Sequence, residues 1–463
     1  MKLVLLSPKG PLYRHRGGIF RQNLRYAPLT LTTLAALVPP ELRAEIAIYD
    51  EGIEDIDPQK IEADLVGMTV ITGNAVRAYE LADRFRERGI PVVLGGPHIT
   101  LVPDDAQPHA DAVVVGYAEE TWPQLLRDFA AGRMQSRYLQ SPDLSLAGMP
   151  LPRRDLLKKQ HYLTTHSFEA TRGCIHTCDF CVVPAAWGTK PYQKPVEEVV
   201  ADIRSHWAPD IMFLDLNLIA DRDYAARLFE ALIPLKTRWF GLSTILLKDD
   251  LPLLELASRS GCTGLLMGFE TISPENLKQS RKGFNSPDEF RAVVDLLHRY
   301  RISLMACFTF GMDYDTPEVF LKTAQFAIDA KIDLPRYAIV TPFPGTALYK
   351  RLESEGRILT KDWSLYDAQH IVFQPKQMTP QQVYEGHELA WKTTYSNSAL
   401  LKRFWGSRIQ PSTWWITNLG YRFYAHHLKD FYNCDWIIGP HLPTPPPPAV
   451  TENNTAVIDQ PCH

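Results

Sequence analysis

Cysteine is missing from the first 173 residues of this 463-residue chain, and only seven occur in all. So few thiols in so long a chain exclude a disulfide framework. Long apolar runs are missing too: Leu3-Val4-Leu5-Leu6 stops at Pro8 and Lys9, short of a signal-peptide core and of a membrane span. A cytoplasmic protein is the expectation. A basic excess is equally absent, since 49 Lys and Arg stand against 53 Asp and Glu. Without a broad positive field, no nucleic-acid partner is expected. Internal repeats are not visible either. What remains, with 45% hydrophobic and 22% charged residues, is a soluble globular chain long enough for two cores and a tail.

Short apolar runs punctuate the first part: Leu3-Val4-Leu5-Leu6, Ile46-Ala47-Ile48-Tyr49, Leu65-Val66-Gly67-Met68-Thr69-Val70, Val92-Val93-Leu94 and Ala112-Val113-Val114-Val115. They read as parallel strands, with helical stretches at 29–37, 75–88 and 121–131 between them. The alternation predicts a doubly wound, Rossmann-like (flavodoxin-like) sheet of about five strands over residues 1–135. Such sheets bind ligands beyond their strand C-termini, where this chain has the loop 7–18, Thr72-Gly73-Asn74, Gly95-Gly96-Pro97-His98 and Gly116-Tyr117-Ala118-Glu119. Thr72, Gly95, Gly96 and Gly116 are therefore candidate cofactor contacts, although glycines there also serve simply to shape turns.

Residues 136–165 are proline-rich and aperiodic and read as a linker. From 166 to 375, strand-like runs end at Thr171, Leu214-Asp215, Leu242-Ser243, Gly268-Phe269-Glu270, Phe308-Thr309-Phe310 and Ile339-Val340-Thr341, each followed by a helix-length stretch. Six β/α units make a partial (β/α)6 barrel of the TIM type, whose chemistry sits at the strand C-termini. Residues 376–440 are purely helical in period. Trp391, Phe404, Trp405, Trp414, Trp415, Tyr421, Phe423, Phe431 and Trp436 there read chiefly as packing of a helical cap on the barrel, with lipid or an apolar substrate as the alternative. Residues 441–463, with Pro445-Pro446-Pro447-Pro448, read as a disordered tail.

The sharpest local signal is Thr171-Arg172-Gly173-Cys174-Ile175-His176-Thr177-Cys178-Asp179-Phe180-Cys181. Three thiols on one tight loop after the first barrel strand suit a four-iron cluster. Such a cluster ordinarily takes four thiolates, so three leave one iron open to a small-molecule ligand. Zinc is the alternative and needs a fourth protein ligand, for which His176 inside the loop is the near candidate and Cys262 and Cys307 read as buried packing.

Cys-x-x-x-Cys-x-x-Cys with an aromatic residue before the last cysteine, here Phe180, resembles the signature of the radical S-adenosylmethionine (SAM) superfamily. The order of a doubly wound domain before the barrel is similar to the class with an N-terminal cobalamin (B12)-binding domain, which includes hopanoid methylases and anaerobic magnesium-porphyrin cyclases. Tyr26-Ala27-Pro28-Leu29, Leu94-Gly95-Gly96-Pro97-His98, Phe213-Leu214-Asp215-Leu216-Asn217, Gly268-Phe269-Glu270 and Pro342-Phe343-Pro344-Gly345 are the further matching stretches. The resemblance implies that Cys174, Cys178 and Cys181 ligate a [4Fe-4S] cluster. It also implies that Phe180 shields that cluster near the SAM adenine, and that Asp215, Asn217, Ser243 and Glu270 surround SAM. Asp215 and Asn217 also suit a turn, and Glu270 also suits a cap on the helix near Pro274. Cobalamin is implied as a further cofactor. Many cobalamin proteins carry Asp-x-His-x-x-Gly, whereas Tyr13-Arg14-His15-Arg16-Gly17-Gly18 lacks the aspartate, so His15 reads as a basic loop residue and not a cobalt ligand.

The implied function is reductive cleavage of SAM to a 5'-deoxyadenosyl radical and cobalamin-dependent methylation of an unactivated carbon, with flavodoxin or ferredoxin as electron donor. Radical oxidation, cyclisation or rearrangement without methyl transfer is the alternative enzyme reading. A non-catalytic cobalamin or redox sensor is the alternative of another class, and it gives no reason for polar groups at successive strand ends. RNA methylthiolation is excluded by the missing N-terminal cysteines. The substrate expected is a small or lipid-like molecule, with membrane association an open possibility.

Overall fold

The computed structural model describes residues 1–10, 26–141, 143–407 and 409–428; the His15 motif, Arg408, Phe431, Trp436 and the proline-rich tail lie outside the described residues. Strands β1 (Lys2–Ser7), β2 (Glu45–Asp50), β3 (Leu65–Thr69), β4 (Val92–Gly95), β5 (Ala112–Val115) and β6 (Arg137–Leu139) form a wholly parallel sheet in the order β2-β1-β3-β4-β5-β6. Its strands are apolar on both faces because both faces are covered. In β1, Leu3 and Leu5 enter one core while Val4 and Leu6 enter the other. The helix Ala75–Glu87 seals one face with Ala78, Leu81, Ala82 and Phe85. The helix Thr121–Ala130 covers the other with Trp122, Leu125 and Leu126. The sheet has six strands where the apolar runs suggest five. The sixth, β6, pairs Arg137 with Val113 over only three residues, too few for any periodicity to mark it.

The second sheet is built from β7 (Ser167–Phe168), followed after the short strands β8 (Thr171–Arg172) and β9 (Tyr192–Gln193) by β10 (Asp210–Phe213), β11 (Arg238–Ser243), β12 (Cys262–Glu270), β13 (Ser303–Phe310) and β14 (Leu334–Ile339). Its order is β14-β13-β12-β11-β10-β7, all parallel, with a helix after each of β10 to β13, as the six β/α units require. Asp221 and Asp250 start two of those helices by accepting the N–H groups of Tyr224 and Leu253.

Direct bonds join the two halves. Ala27 N–H donates to Thr164 O at 2.9 Å, Ser167 Oγ donates to Ala27 O at 2.8 Å, and Trp363 Nε1 donates to Asp105 Oδ2 at 3.0 Å. The last helices, Pro380–Thr394, Asn397–Phe404 and Pro411–His426, pack on the barrel through buried Trp391, Tyr395 and Trp414. Among the described residues no helix is long and apolar enough to cross a membrane.

Candidate active site

The cysteine loop is closed at its base by antiparallel pairing of β8 with β9, Thr171 opposite Gln193 and Arg172 opposite Tyr192. Gly173 takes φ 86°, and a Cβ there meets Lys190 O at 3.0 Å, so glycine lets the chain leave β8 beside its partner strand. Backbone bonds then set the loop's path. Asp179 N–H donates to Ser280 O at 3.1 Å, Cys181 N–H to Cys178 O at 3.2 Å, and Leu348 N–H to Asp179 O at 2.9 Å.

Cys178 is buried and Cys174 and Cys181 half-buried. Burial raises the Cys178 thiol and pushes Cys181 up to about 11, and each is raised further by its neighbouring cysteines. Thiols gathered in a dry loop need positive charge beside them to bind as thiolates, which the iron of a cluster core supplies. His176, the nearest fourth ligand for zinc, lies with its ring stacked on Phe284 at 4.2 Å, and Cys262 is buried beside Gly264 O at 3.7 Å. Phe180 packs against the barrel core.

Asp215, at the end of β10, is buried, and its carboxylate accepts the backbone N–H groups of Ala170, at 3.1 Å, and Thr171. It thereby fixes the strand that runs into the cysteine loop. Burial, reinforced by Glu169, pushes its carboxyl up to about 7. The folded chain thus keeps, between about pH 4 and 7, a proton that the unfolded chain releases. Stability is expected to fall as pH rises through that window, by up to about 1.4 kcal/mol per pH unit, and to level off above it. Chemical denaturation at several pH values checks this: Asp215→Asn, which keeps the acceptor oxygen, should flatten the decline, and an unchanged slope in the variant removes Asp215 as its source.

Asn217 lies two residues on, buried, with Nδ2 directed at Cys174 Sγ at 3.9 Å. Ser243 is buried at the end of β11, where Oγ donates to Thr244 O at 3.4 Å. Glu270 ends β12 at φ 64°, an uncommon backbone for a residue with a Cβ. Its carboxylate holds Lys282 and accepts from Thr309 Oγ1 at 3.0 Å. A Cβ on Gly268 meets Glu270 Oε1 at 2.1 Å and Lys282 Nζ at 2.7 Å, so a side chain there would displace the ion pair from its present position. Ser273 caps the helix Pro274–Gln279, which leaves Glu270 to the pair. Burial opposes the Lys282 charge, yet Glu270 and the thiols of Cys178 and Cys181 hold its pKa above the ordinary value. The sequence reading missed Lys282. Only its position, twelve residues after Glu270 and outside any strand end, distinguishes it.

A cavity of about 370 Å³ opens between the two halves. Gly67, Thr69, Gly95, Gly96, Gly116 and Trp122 line it from the first half, and Thr171, Arg172, Trp187, Leu214 and Leu216 from the second. Gly96 takes φ 106°, and a Cβ there lies 2.7 Å from Val70 O, so the turn at the cavity edge admits no side chain. Thr72 is not among the lining residues; its Oγ1 lies 3.2 Å from His98 Nδ1. The junction wall is polar. Arg172 bonds Glu119 across the halves and Glu169 at 2.9 Å, with its guanidinium 5.1 Å from the Tyr117 ring, which stacks on Trp187 at 5.0 Å. Glu119 Oε2 and Trp187 Nε1 are buried without a hydrogen-bond partner. Both residues line the cavity, and an unpaired acceptor and donor buried in its wall suit the amide side chains of a corrinoid, which supply both complements.

Comparisons with known proteins agree with this layout. The radical SAM superfamily profile matches residues 168–327, the B12 binding domain profile residues 33–126, and a domain of unknown function, DUF4070, residues 346–415. The chain is 30% identical over 403 residues to bacteriochlorophyllide d C-12(1)-methyltransferase of Chlorobaculum tepidum, covering 84% of this chain and 87% of that one. It is 31% identical over 408 residues to bacteriochlorophyllide d C-8(2)-methyltransferase of the same organism, covering 81% and 89%. The fold matches the radical SAM methyltransferase TsrM from Kitasatospora setae, solved with cobalamin and a [4Fe-4S] cluster, with a TM-score of 0.66 at 15% identity over 92% of this chain and 99% of that one. The chain belongs to the radical SAM methyltransferases that carry an N-terminal B12-binding domain.

Proposed function

We propose that the chain methylates an unactivated carbon of a large, largely apolar small molecule, with Cys174, Cys178 and Cys181 holding a [4Fe-4S] cluster and the cavity between the halves holding cobalamin. The chemistry those groups supply when bound is a 5'-deoxyadenosyl radical from reductive cleavage of SAM and a methyl group carried on the corrinoid. The reading rests on a shared wall: Thr171 and Arg172 line the cavity, and Cys174 follows on the same stretch of chain. The two reacting centres are thus held on one short, hydrogen-bonded segment, which serves proximity and orientation.

The residues around that wall have separate tasks. Glu119 and Trp187 offer an acceptor and a donor to the corrinoid amides, while Leu29, Leu34, Val93, Val114 and Trp122 keep the cavity dry. Ser243 and Glu270, the latter with Lys282 bound to it, stand at strand ends for the polar groups of SAM. Gly95, Gly96 and Gly116 edge the corrinoid side, and Phe180 backs the cluster loop. An acceptor with the reach and apolar surface of a tetrapyrrole fits the relatives named for bacteriochlorophyllide. The donor of electrons belongs to the flavodoxin or ferredoxin class.

Anaerobic reconstitution with iron, sulfide and hydroxocobalamin, followed by desalting, tests this. Retained corrinoid, SAM cleavage with dithionite, and S-adenosylhomocysteine with a methylated product are expected. Cleavage without retained corrinoid, with product mass unchanged by a methyl group, moves the reading to radical oxidation or cyclisation. Asn217 gives a smaller, independent check. Its N–H directed at the Cys174 sulfur stabilises the more negative, reduced cluster. Asn217→Leu is expected to lower the reduction constant about tenfold, or about 60 mV in a one-electron titration followed by electron paramagnetic resonance. An unmoved potential removes that role.

A further inference from the structure

Two of the three thiols are held in place from far along the chain. Asp179 stands between Cys178 and Cys181, and both sides of its backbone are bonded: its N–H donates to Ser280 O at 3.1 Å, and its carbonyl accepts Leu348 N–H at 2.9 Å. Leu348 lies in the first turn of the helix Ala347–Ser354, where backbone N–H groups have no acceptor within the helix and can hold a neighbouring segment. One turn further on, Arg351 brings Nη2 to 3.9 Å from Asp179 Oδ2 and Nη1 to 2.5 Å from Asp313 Oδ2. Asp179 is buried, so its charge contact with Arg351 is little screened by salt.

Asp313, in the turn after β13, anchors this group. Its carboxylate also receives Arg357 Nη2 at 2.8 Å, Gln279 Nε2 at 2.9 Å and Lys376 Nζ at 3.3 Å. Glu355 lies 2.7 Å from Arg357 and 3.8 Å from Arg351. Counted by charge, Arg357 and Lys376 balance Asp313 and Glu355, which leaves Arg351 as the counter-charge of Asp179, with Arg281 adding a weaker attraction. The gap among Asp179, Phe180, Gln279, Asp313 and Arg351 measures about 20 Å³, room for no more than a water molecule. The group is thus a brace and not a second ligand site. Its cations Arg351, Arg357 and Lys376 all come from residues 346–415, the stretch matched by a profile of unknown function.

We infer, on the reading of Cys174, Cys178 and Cys181 as cluster ligands, that Arg351 is a positioning residue for the cluster, and that bracing the Cys178–Cys181 half of the loop is a task of residues 346–415. A carboxylate between two thiolate ligands repels them and the negative cluster they hold. Arg351, anchored on Asp313, draws that carboxylate toward the helix Ala347–Ser354, in the same direction as the bond from Leu348, and so fixes where the two sulfur atoms stand. Partners behind a metal's ligands act in this way, by orienting groups they do not themselves replace.

Iron release from the anaerobically reconstituted full-length protein to a ferrous chelator, together with the cluster's reduction potential and the guanidinium unfolding midpoint, tests this. Arg351→Met is expected to release iron about tenfold faster, with a midpoint close to that of the unsubstituted protein because Arg357 and Lys376 still hold Asp313. Asp179→Asn, which leaves the Asp313 group whole, should speed release from the loop side, and adding Arg351→Met to it should change little more. The potentials should move in opposite directions, down when the cation is lost and up when the carboxylate is lost, a pattern that loosened packing does not produce. Lys376→Met, which takes a cation from Asp313 without touching Asp179, should release iron at the unsubstituted rate. An unchanged rate in Arg351→Met, an equal rise in Lys376→Met, or potentials that shift the same way in Arg351→Met and Asp179→Asn overturns the inference. Absence of a four-iron cluster in the unsubstituted protein, seen by iron analysis before any variant is made, sinks the reading of the cysteines instead and takes the inference with it.

Discussion

Cys178→Ala is expected to abolish SAM cleavage altogether, with iron content falling and the fold intact. The side chain is a buried thiol, but the loop around it is set by backbone bonds that alanine keeps: Cys181 N–H to Cys178 O, Asp179 N–H to Ser280 O and Leu348 N–H to Asp179 O. Removing one sulfur atom from such a position costs about 1 kcal/mol of stability. The effect on chemistry is of another order. Three thiolates are the whole protein ligand set of the proposed cluster, and with two of them a second iron is left without a protein ligand and the cluster is no longer held. Cys262→Ala supplies the contrast. That thiol is equally buried, but it begins β12, at the end of the strand away from Glu270, and its substitution should leave iron and cleavage as they were. Iron analysis and a 5'-deoxyadenosine assay on both variants decide the matter; a Cys178→Ala protein that still cleaves SAM would sink the cluster assignment.

The contrast also explains what was legible in the amino-acid order. The cysteine loop could be read because metal ligation by neighbouring residues is a local property, carried by spacing alone. The strand ends could be read because parallel strands buried on both faces are apolar runs, and β1, β3, β4 and β5 stand where those runs stand. Strands of two or three residues carry no period, so β6 and the β8–β9 pair that closes the cysteine loop were invisible. Partnerships between distant residues were invisible for a different reason. Glu119 lies inside the run Gly116-Tyr117-Ala118-Glu119 and Arg172 beside Cys174, yet nothing in either local pattern says that the two meet. Asp215 shows the same limit. Its position at a strand end was plain, but whether its carboxylate faces a ligand or the backbone of Ala170 and Thr171 depends on how β10 and β7 pair. Among the aromatic residues of the last helices, period could separate helix from strand, but it could not separate the buried Trp414 from the exposed Trp405.

Arg172→Met is expected to destabilise the protein by about 3–5 kcal/mol and to release bound corrinoid, because it leaves the buried Glu119 carboxylate without its counter-charge and Glu169 with Lys194 alone. Arg172 touches Glu119 from the first half, Glu169 from the second and the face of Tyr117 at once. Lys194 lies 3.2 Å from Glu169 and is a second cation in the group. Burial works against the guanidinium, but Glu169 and Glu119 more than offset it and raise its pKa, so the residue stays charged across the accessible pH range. With methionine in place, Glu119 must take up a proton or draw in water, and the wall that carries Thr171 toward Cys174 loses its tie to the first sheet. Glu119→Gln removes the charge on one side only, leaves Arg172 paired with Glu169, and should cost clearly less. Adding Glu119→Gln to Arg172→Met should then recover part of the loss, the non-additivity expected of residues that share one buried network. Guanidinium unfolding of the three variants together with corrinoid retention after desalting measures both effects. A midpoint for Arg172→Met equal to that of the unsubstituted protein would show that the junction is held by Ala27, Thr164, Ser167 and the Trp363–Asp105 bond without help from this charge cluster.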